Sequence, residues 1–189
     1  MEPSYQAADP NSAENVIQLK LREVSQLFNS LDPSPFNAKD LDHDAEEFIV
    51  SWARELSPKR DLKLVIHLEK PLSPNQTEDT VRESVQHYFA YRASINRLEL
   101  RELLKRGRTS LLIGGCFLSG CLFLGKLVAE HTASGVFGGI ARESLTIGGW
   151  VAMWRPMEIY LYDWWPLSHH GTLLTRLSHI QVELRLPTT

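Results

Sequence analysis

The stretch Thr109–Val128 constrains the fold of this chain more than any other feature of its sequence. It contains no charged side chain before Lys126. An apolar helix of about 20 residues crosses the roughly 30 Å hydrocarbon layer of a bilayer. Three basic residues, Lys105, Arg106 and Arg108, stand just before the stretch, and such clusters stay on the cytoplasmic side. The sequence therefore predicts a transmembrane helix whose amino-terminal end faces the cytoplasm.

A second apolar region follows, but charged residues interrupt it, and two placements of a second span are open. Residues 135–154 would put Arg142 and Glu143 inside the membrane, whereas a span near 144–163 would put Arg155 and Glu158 among the cytoplasmic headgroups. We favour the second placement because it creates a belt of amphipathic rings at the membrane surface. The members of this belt are Trp154, Tyr160, Tyr162, Trp164 and Trp165.

Three segments alternate between apolar and polar residues, the pattern of half-buried β-strands. They are 16–22, 61–69 and 179–186. Two membrane spans would return the chain to the side on which it started, so the third strand could pair with the first two. We expect an α+β fold in which a two-helix transmembrane hairpin carries a small cytoplasmic domain with a three-stranded sheet.

Helical spacing of apolar residues predicts a short turn around Leu27, Phe28 and Leu31, a helix over 45–56, and a long helix from 77 to 128. Asp40, Asp42 and Asp44 offer caps for the second of these, Thr77 offers one for the third, and Gly107 is a possible hinge. The expected organisation is a disordered tail over 1–15, a cytoplasmic α+β domain with the long helix over 16–106, the hairpin over 107–166, and the last strand within 167–189.

Small residues four positions apart allow helices to approach closely in lipid. The first span carries Cys116 with Gly120 and Cys121 with Gly125; the second carries Gly135 with Gly139 and Ser144 with Gly148. We interpret these pairs as the packing surface between the two helices of the hairpin, with self-association into a homo-oligomer as the alternative.

Known chemical motifs are missing from the sequence. The seven histidines and two cysteines do not fall at metal-ligand spacings. There is no nucleophile elbow, phosphate-binding loop or dinucleotide fingerprint. The net charge of -3 argues against a nucleic-acid partner. We therefore expect no catalytic residues, no metal and no cofactor.

Ionisable residues near a bilayer are costly and suggest function by default. The candidates for functional or partner contacts are these charges, the aromatic block that follows them, and a phenylalanine in the proline-rich loop 32–36. They are Arg142, Glu143, Arg155, Glu158, Asp163, Trp164, Trp165 and Phe36. For these charges we favour a structural role, in which Arg155 pairs with Glu158 and anchors to lipid phosphates. Transport and partner recognition are the alternatives.

Three segments resemble a family of uncharacterised bacterial two-span membrane proteins. They are Ser30–Phe36, Asp44–Arg54, and Gly148–Glu158 continued by Tyr162–Pro166. The likeness covers nearly the whole chain after residue 15. It implies a bacterial inner-membrane location, and it carries no activity. The expectation that both termini are cytoplasmic comes instead from the two spans and the basic cluster before the first of them.

The sequence thus predicts a non-enzymatic integral membrane protein, an adaptor or accessory subunit that contacts membrane lipids and a homo-oligomeric or membrane-complex partner. The alternative is a small oligomeric transporter or channel that uses the Arg/Glu pairs inside the membrane.

Overall fold

The fold is described from a computed structural model that covers residues 15–36, 39–58, 60–73, 76–131 and 136–186. Except for Asn15, the predicted disordered tail lies outside these residues. The chain forms two compact units. The first reaches up to Asn96 and takes in the chain again from His170, and the second is Arg97–His169.

A three-stranded parallel sheet forms the centre of the first unit. Its strands are β1 (Val16–Leu21), β2 (Lys63–Leu68) and β3 (Gln181–Arg185), in the order β1-β2-β3. The three predicted strands and the α+β class are therefore confirmed. The expectation that the last strand pairs with both others is wrong, because β3 pairs with β2 alone.

Alternation decides which face of the sheet is buried. Ile17 and Leu19 of β1 and Leu64 and Ile66 of β2 are fully buried. They pack in one core with apolar residues of three helices: α1 (His43–Glu55), the start of α2 (Glu78–His131) and the end of α5 (Trp164–Leu177). The helix residues of this core with the least exposure are Ile49, Val81, Val85, Phe89, Leu174 and Leu177. Burial of such side chains drives the formation of the unit.

Polar contacts fix α1 and α2 within the first unit. The side chain of Asp42 caps α1 by accepting from the backbone nitrogen of Asp44, and Thr77 caps α2 by accepting from that of Thr80 at 3.2 Å. Between the helices, the Tyr88 hydroxyl donates to Glu46 at 2.7 Å. Arg92 Nε donates to the other oxygen of the same carboxylate at 2.8 Å.

The second face of the sheet carries a row of basic side chains near the carboxyl ends of the strands. Lys20, His67 and Arg185 are register partners on β1, β2 and β3. Burial, followed by the charges of Arg185 and Lys20, lowers the pKa of His67, and the nearby carboxylate of Glu183 opposes this. The Nε2 atom of His67 is buried and has no hydrogen-bond partner among the described residues.

The short turn after β1 ends earlier than the sequence predicts. A 3-10 helix covers Val24–Leu27, and Phe28 then forms an isolated antiparallel bridge with Leu41. Leu31 is 88% exposed, so its assignment to the helical turn is wrong. The reason is local. The Asn29 side chain accepts a hydrogen bond from the backbone nitrogen of Leu31, and the Asp32 side chain accepts one from the backbone nitrogen of Ser34. These contacts close turns without continuing a helix.

Helix α2 has 54 residues and is unbroken from the first unit into the second. This confirms the prediction of one continuous helix. The suggested hinge at Gly107 is wrong, because the helix passes through it and the residue is buried. Of the described helices, one is long and apolar enough to cross a membrane, and it is this one, over Glu78–Glu130.

The second predicted span does not form a continuous helix of membrane length. Helix α3 (Val136–Ala152) has 17 residues, about 25 Å at 1.5 Å per residue, and a turn at Met153 interrupts it. Helix α4 (Trp154–Glu158), a π-helix (Ile159–Asp163) and α5 follow. Neither 135–154 nor 144–163 matches these bounds. The prediction of two helices that each span the bilayer is therefore wrong in that form.

Candidate functional site

Large apolar side chains cover the outside of the second unit. In the most apolar part of α2, only 17% of the residues are buried by the rest of the chain. The first unit shows the opposite pattern, with its apolar strand residues inside. The exposed side chains on α2, and on α3 and the residues that follow it, include Leu112, Ile113, Phe117, Phe123, Phe137, Ile147, Trp150, Val151, Trp154 and Tyr162. Exposed apolar surface of this extent marks an interaction site.

Glycines bring α2 and α3 into direct contact. A Cβ atom added to Gly149 would lie 2.7 Å from Leu118 Cδ1 and 3.3 Å from Cys121 Cβ. One added to Gly114 would lie 2.8 Å from the carbonyl oxygen of Ala152. A side chain at either position would force the neighbouring atoms to move, so glycine allows the close approach of the two helices.

The glycine contacts also give the direction of the pairing. Gly107 lies against Ile159 and Tyr160, and Gly125 lies against Arg142. As residue numbers rise along α2, those of its partners fall. The two segments are therefore antiparallel within the second unit.

The predicted pairs of small residues divide into two groups. Cys121 and Gly125 are buried in the contact with α3, as predicted for hairpin packing. Cys116 and Gly120 are exposed, and a Cβ added to Gly120 would meet nothing within 4 Å. On α3, Ser144 is exposed, and there is open space at Gly148 and Gly139. Gly135 lies outside the described residues.

Among the predicted charged residues, three come together around the π-helix. Arg155 Nη1 lies 2.8 Å from a carboxylate oxygen of Glu158 and 3.6 Å from one of Asp163. The Arg155 side chain keeps 61% of its surface exposed. Arg155 therefore forms an ion pair with Glu158, and Asp163 is a further partner; the structural role of this pair stays a prediction.

Arg142 and Glu143 lie elsewhere in the second unit and are both exposed. The aliphatic part of Arg142 lies beside Gly125, the residue that precedes Lys126 in the sequence. Arg155 follows Arg142 by 13 positions, which corresponds to roughly 20 Å at the helical rise per residue. The two arginines therefore belong to different levels of the helix pair.

The predicted aromatic contacts have different surroundings. Trp164 Nε1 donates to the carbonyl oxygen of Tyr160 at 2.8 Å, and Trp165 Nε1 donates to His169 Nε2. Both indoles keep exposed surface. Phe36, in the first unit, is half-buried, and its ring centroid is 4.8 Å from that of Phe28. It packs against the core, whereas Trp164 and Trp165 remain available for contact.

A groove of about 670 Å³ lies beside the π-helix, entirely within the second unit. We call it the interfacial groove. It holds three carboxylates and one guanidinium, together with apolar surface. Its lining residues are Glu99, Glu102, Leu103 and Arg106 from α2, and Tyr162, Asp163, Pro166 and Leu167 from the opposite side.

The interfacial groove contains functional candidates that sequence reasoning missed. Of its lining residues, Asp163 stood among the predicted contacts and Tyr162 stood in the predicted aromatic belt. The acids of α2 alternate with basic residues and resemble an ordinary solvated helix face. Nothing in their spacing indicates that the chain returns beside them. Among the described residues, no three His, Cys, Asp or Glu side chains group as metal ligands.

Comparison with known proteins adds no relative: the chain matches no protein-family model, no curated protein and no solved structure.

Proposed function

We propose that this protein is an integral membrane protein whose second unit lies in the bilayer and holds the small α+β unit at the cytoplasmic surface. The observation that carries the proposal is the exposed apolar surface of α2. In water, such a surface would stay hydrated at a large cost in free energy. In lipid, the same side chains are in contact with hydrocarbon, and an unbroken helix satisfies its own backbone hydrogen bonds.

The sheet supports a return of the chain across the membrane. Strands β1 and β2 precede the apolar part of α2, and β3 follows the second unit, yet β3 pairs with β2. If α2 crosses the bilayer, the chain must come back through it before β3. The antiparallel contacts of α2 with α3 and with Ile159 support placing this return along the same segment. In this proposal, α3 and α4 lie in the lipid beside α2, although α3 by itself is shorter than the hydrocarbon layer.

Charge positions support a membrane level near that of the second placement. Gly125 contacts Arg142, so the first charges of α3 lie where the apolar part of α2 ends at Lys126. At the other end, Arg155 lies three residues past Ala152, which contacts Gly114. Its long side chain can reach the headgroups with the charge outside hydrocarbon. Because Arg142 and Arg155 lie at opposite ends, this arrangement favours anchoring over a relay of intramembrane charges.

The role we assign is that of a non-enzymatic adaptor or accessory subunit in a bacterial inner membrane. The first unit has a well-packed core and offers exposed polar faces, while the second has an exposed strip with Cys116 and Gly120 that α3 does not cover. Small residues on an exposed membrane helix suit contact with another helix. A second copy or a membrane-complex subunit is the partner we expect.

Cysteine accessibility in intact cells tests the membrane topology. In a background with Cys116→Ser and Cys121→Ser, we expect Glu130→Cys to react with a membrane-impermeant maleimide from outside. Glu55→Cys and Gln181→Cys, one on α1 and one on β3, should react only after the membrane is opened. All three positions are exposed, so burial does not confound the comparison. Reaction of Gln181→Cys from outside would overturn the topology.

Affinity purification in a mild detergent tests the adaptor role separately. We expect either a dimer or a retained membrane protein partner, and we expect Gly120→Leu to weaken self-association more than a matched Leu124→Ala change, because only the first blocks close helix approach. A protein that is purely monomeric and alone under these conditions would contradict the adaptor role while leaving the membrane location intact.

A further inference from the structure

The charges of the interfacial groove follow an order along α2. Arg106 is nearest to the apolar stretch that begins at Thr109, Glu102 is one turn farther away, and Glu99 is farther still. At 1.5 Å per residue, Arg106 lies roughly 5 Å and Glu102 roughly 10 Å before Thr109. The headgroup layer of a bilayer is on the order of 5–7 Å thick on each side. A positive charge therefore lies within this layer, and the negative charges follow beyond its outer edge.

The groove is open to ligands although two of its charges form an ion pair. Arg106 Nη2 and Glu102 Oε2 are 3.8 Å apart, and both side chains are at least 70% exposed. Such a pair contributes little binding energy. Asp163, on the opposite wall, shares Arg155 with Glu158. Together with Glu99, these groups comprise four carboxylates and two guanidinium groups, an excess of negative charge among the lining residues and their ion-pair partners.

The π-helix shapes the wall opposite α2. It covers Ile159–Asp163, so Tyr162 and Asp163, which line the groove, are its last two residues. Single π-helical turns are rare and occur often at functional sites. Tyr162 is 70% exposed and adds an aromatic surface beside the carboxylates, which favours a bound ammonium group.

We infer that the interfacial groove binds the headgroup of a zwitterionic phospholipid with a primary amine, of which phosphatidylethanolamine is the probe. In such a lipid the phosphate lies next to the glycerol and the ammonium lies farther out. This order matches Arg106 followed by the carboxylates of Glu102 and Asp163. The ammonium donates up to three hydrogen bonds, which the carboxylates accept. The inference rests on the proposed membrane location, because it places the groove at headgroup depth.

Native mass spectrometry of the full chain, released from nanodiscs of defined composition, tests the inference. Phosphatidylethanolamine is compared with phosphatidylcholine, whose quaternary ammonium has no N–H donor, and with phosphatidylglycerol, which has no ammonium. We expect phosphatidylethanolamine to be retained roughly tenfold more than either, the factor for one charge-assisted hydrogen bond. Equal retention of the three lipids would overturn the inference.

Matched variants connect the preference to the groove. The double change Glu102→Gln with Asp163→Asn keeps the side-chain shapes and should abolish the preference for phosphatidylethanolamine. Glu143→Gln removes an exposed carboxylate from α3 and should leave the preference unchanged. Loss of the preference in the Glu143→Gln control, or its persistence in the double variant, would show that the site lies elsewhere.

Two further measurements separate the possible failures. Soluble phosphoethanolamine should not displace the lipid at equal concentration; displacement would assign the groove to a free metabolite and overturn the lipid inference. Resistance of the protein to alkaline extraction from membranes is measured in parallel. A protein that resists extraction but shows no lipid preference refutes this inference alone, whereas a protein extracted as a soluble species refutes the membrane location as well.

Discussion

Replacing Gly149 with alanine should weaken the contact between α2 and α3. The added Cβ would lie 2.7 Å from Leu118 Cδ1 and 3.3 Å from the Cα atom of the same leucine. Carbon atoms in good contact are about 3.5–4.0 Å apart. The leucine methyl would therefore have to move by roughly 0.8 Å, and the backbone of α2 by a few tenths of an ångström. Overpacking of this kind costs about 1–3 kcal/mol.

The neighbouring glycine provides the matched control. A Cβ added to Gly148 would meet nothing within 4 Å. Both substitutions exchange glycine for alanine inside the same helix, so both gain the same intrinsic helix propensity, about 1 kcal/mol. That gain cancels in the comparison. We therefore expect Gly149→Ala to be about 1–3 kcal/mol less stable than Gly148→Ala.

Chemical denaturation in detergent micelles measures this difference, with tryptophan emission as the signal because Trp150 lies on α3. A second matched pair lies on α2: Gly114→Ala would meet the carbonyl oxygen of Ala152 at 2.8 Å, while Gly115→Ala would meet open space. Equal stability within both pairs would refute the packing of α2 on α3 and, with it, the antiparallel return of the chain.

Three further predictions concern the register of the helices and the stability of the first unit. Gly149→Cys should form a disulfide with Cys121 under mild oxidation, because the two Cβ atoms would lie 3.3 Å apart, close to disulfide geometry; Gly148→Cys should not, and a mobility shift on non-reducing gels distinguishes them. Tyr88→Phe should lower the free energy of unfolding by roughly 1–2 kcal/mol, since its hydroxyl no longer satisfies a carboxylate of α1; an unchanged urea midpoint would contradict this. The lowered pKa of His67 means that the unfolded chain binds a proton more readily than the folded one. Stability should therefore be full above about pH 6.5 and fall as the pH drops below it, and His67→Gln should reduce that fall in urea titrations at several pH values.

Local patterns were sufficient to predict most elements of the first unit. The alternation in β1, β2 and β3 reflects a period of two residues that needs no knowledge of the rest of the chain. The helix caps at Asp42 and Thr77 could also be predicted from the sequence, because a capping side chain contacts the backbone only two or three residues away. Where competing local contacts formed, as at Leu31, the same kind of reasoning extended a helical turn too far.

The second unit shows why the rest could not be predicted. The five glycines of α2 are equivalent in the sequence, yet Gly107, Gly114 and Gly125 contact the returning chain, whereas Gly115 and Gly120 do not. The turn at Met153 and the π-helix after it have no strong local signal, although Pro156 stands between them. Sequence periodicity therefore placed a second span of regular length where the chain forms a shorter, interrupted one.

The sequence by itself determined that α2 carries an apolar stretch long enough for a bilayer, that charges bracket it, and that the strands bury one face. These are properties of single segments, because hydrophobic length and periodicity are local. Only the tertiary structure decided that β2 is the central strand, that Gly149 meets Leu118, and that Asp163 faces the acids of α2 across the interfacial groove. Each of these is a contact between residues far apart along the chain, and it depends on the packing of whole elements, which no single segment encodes.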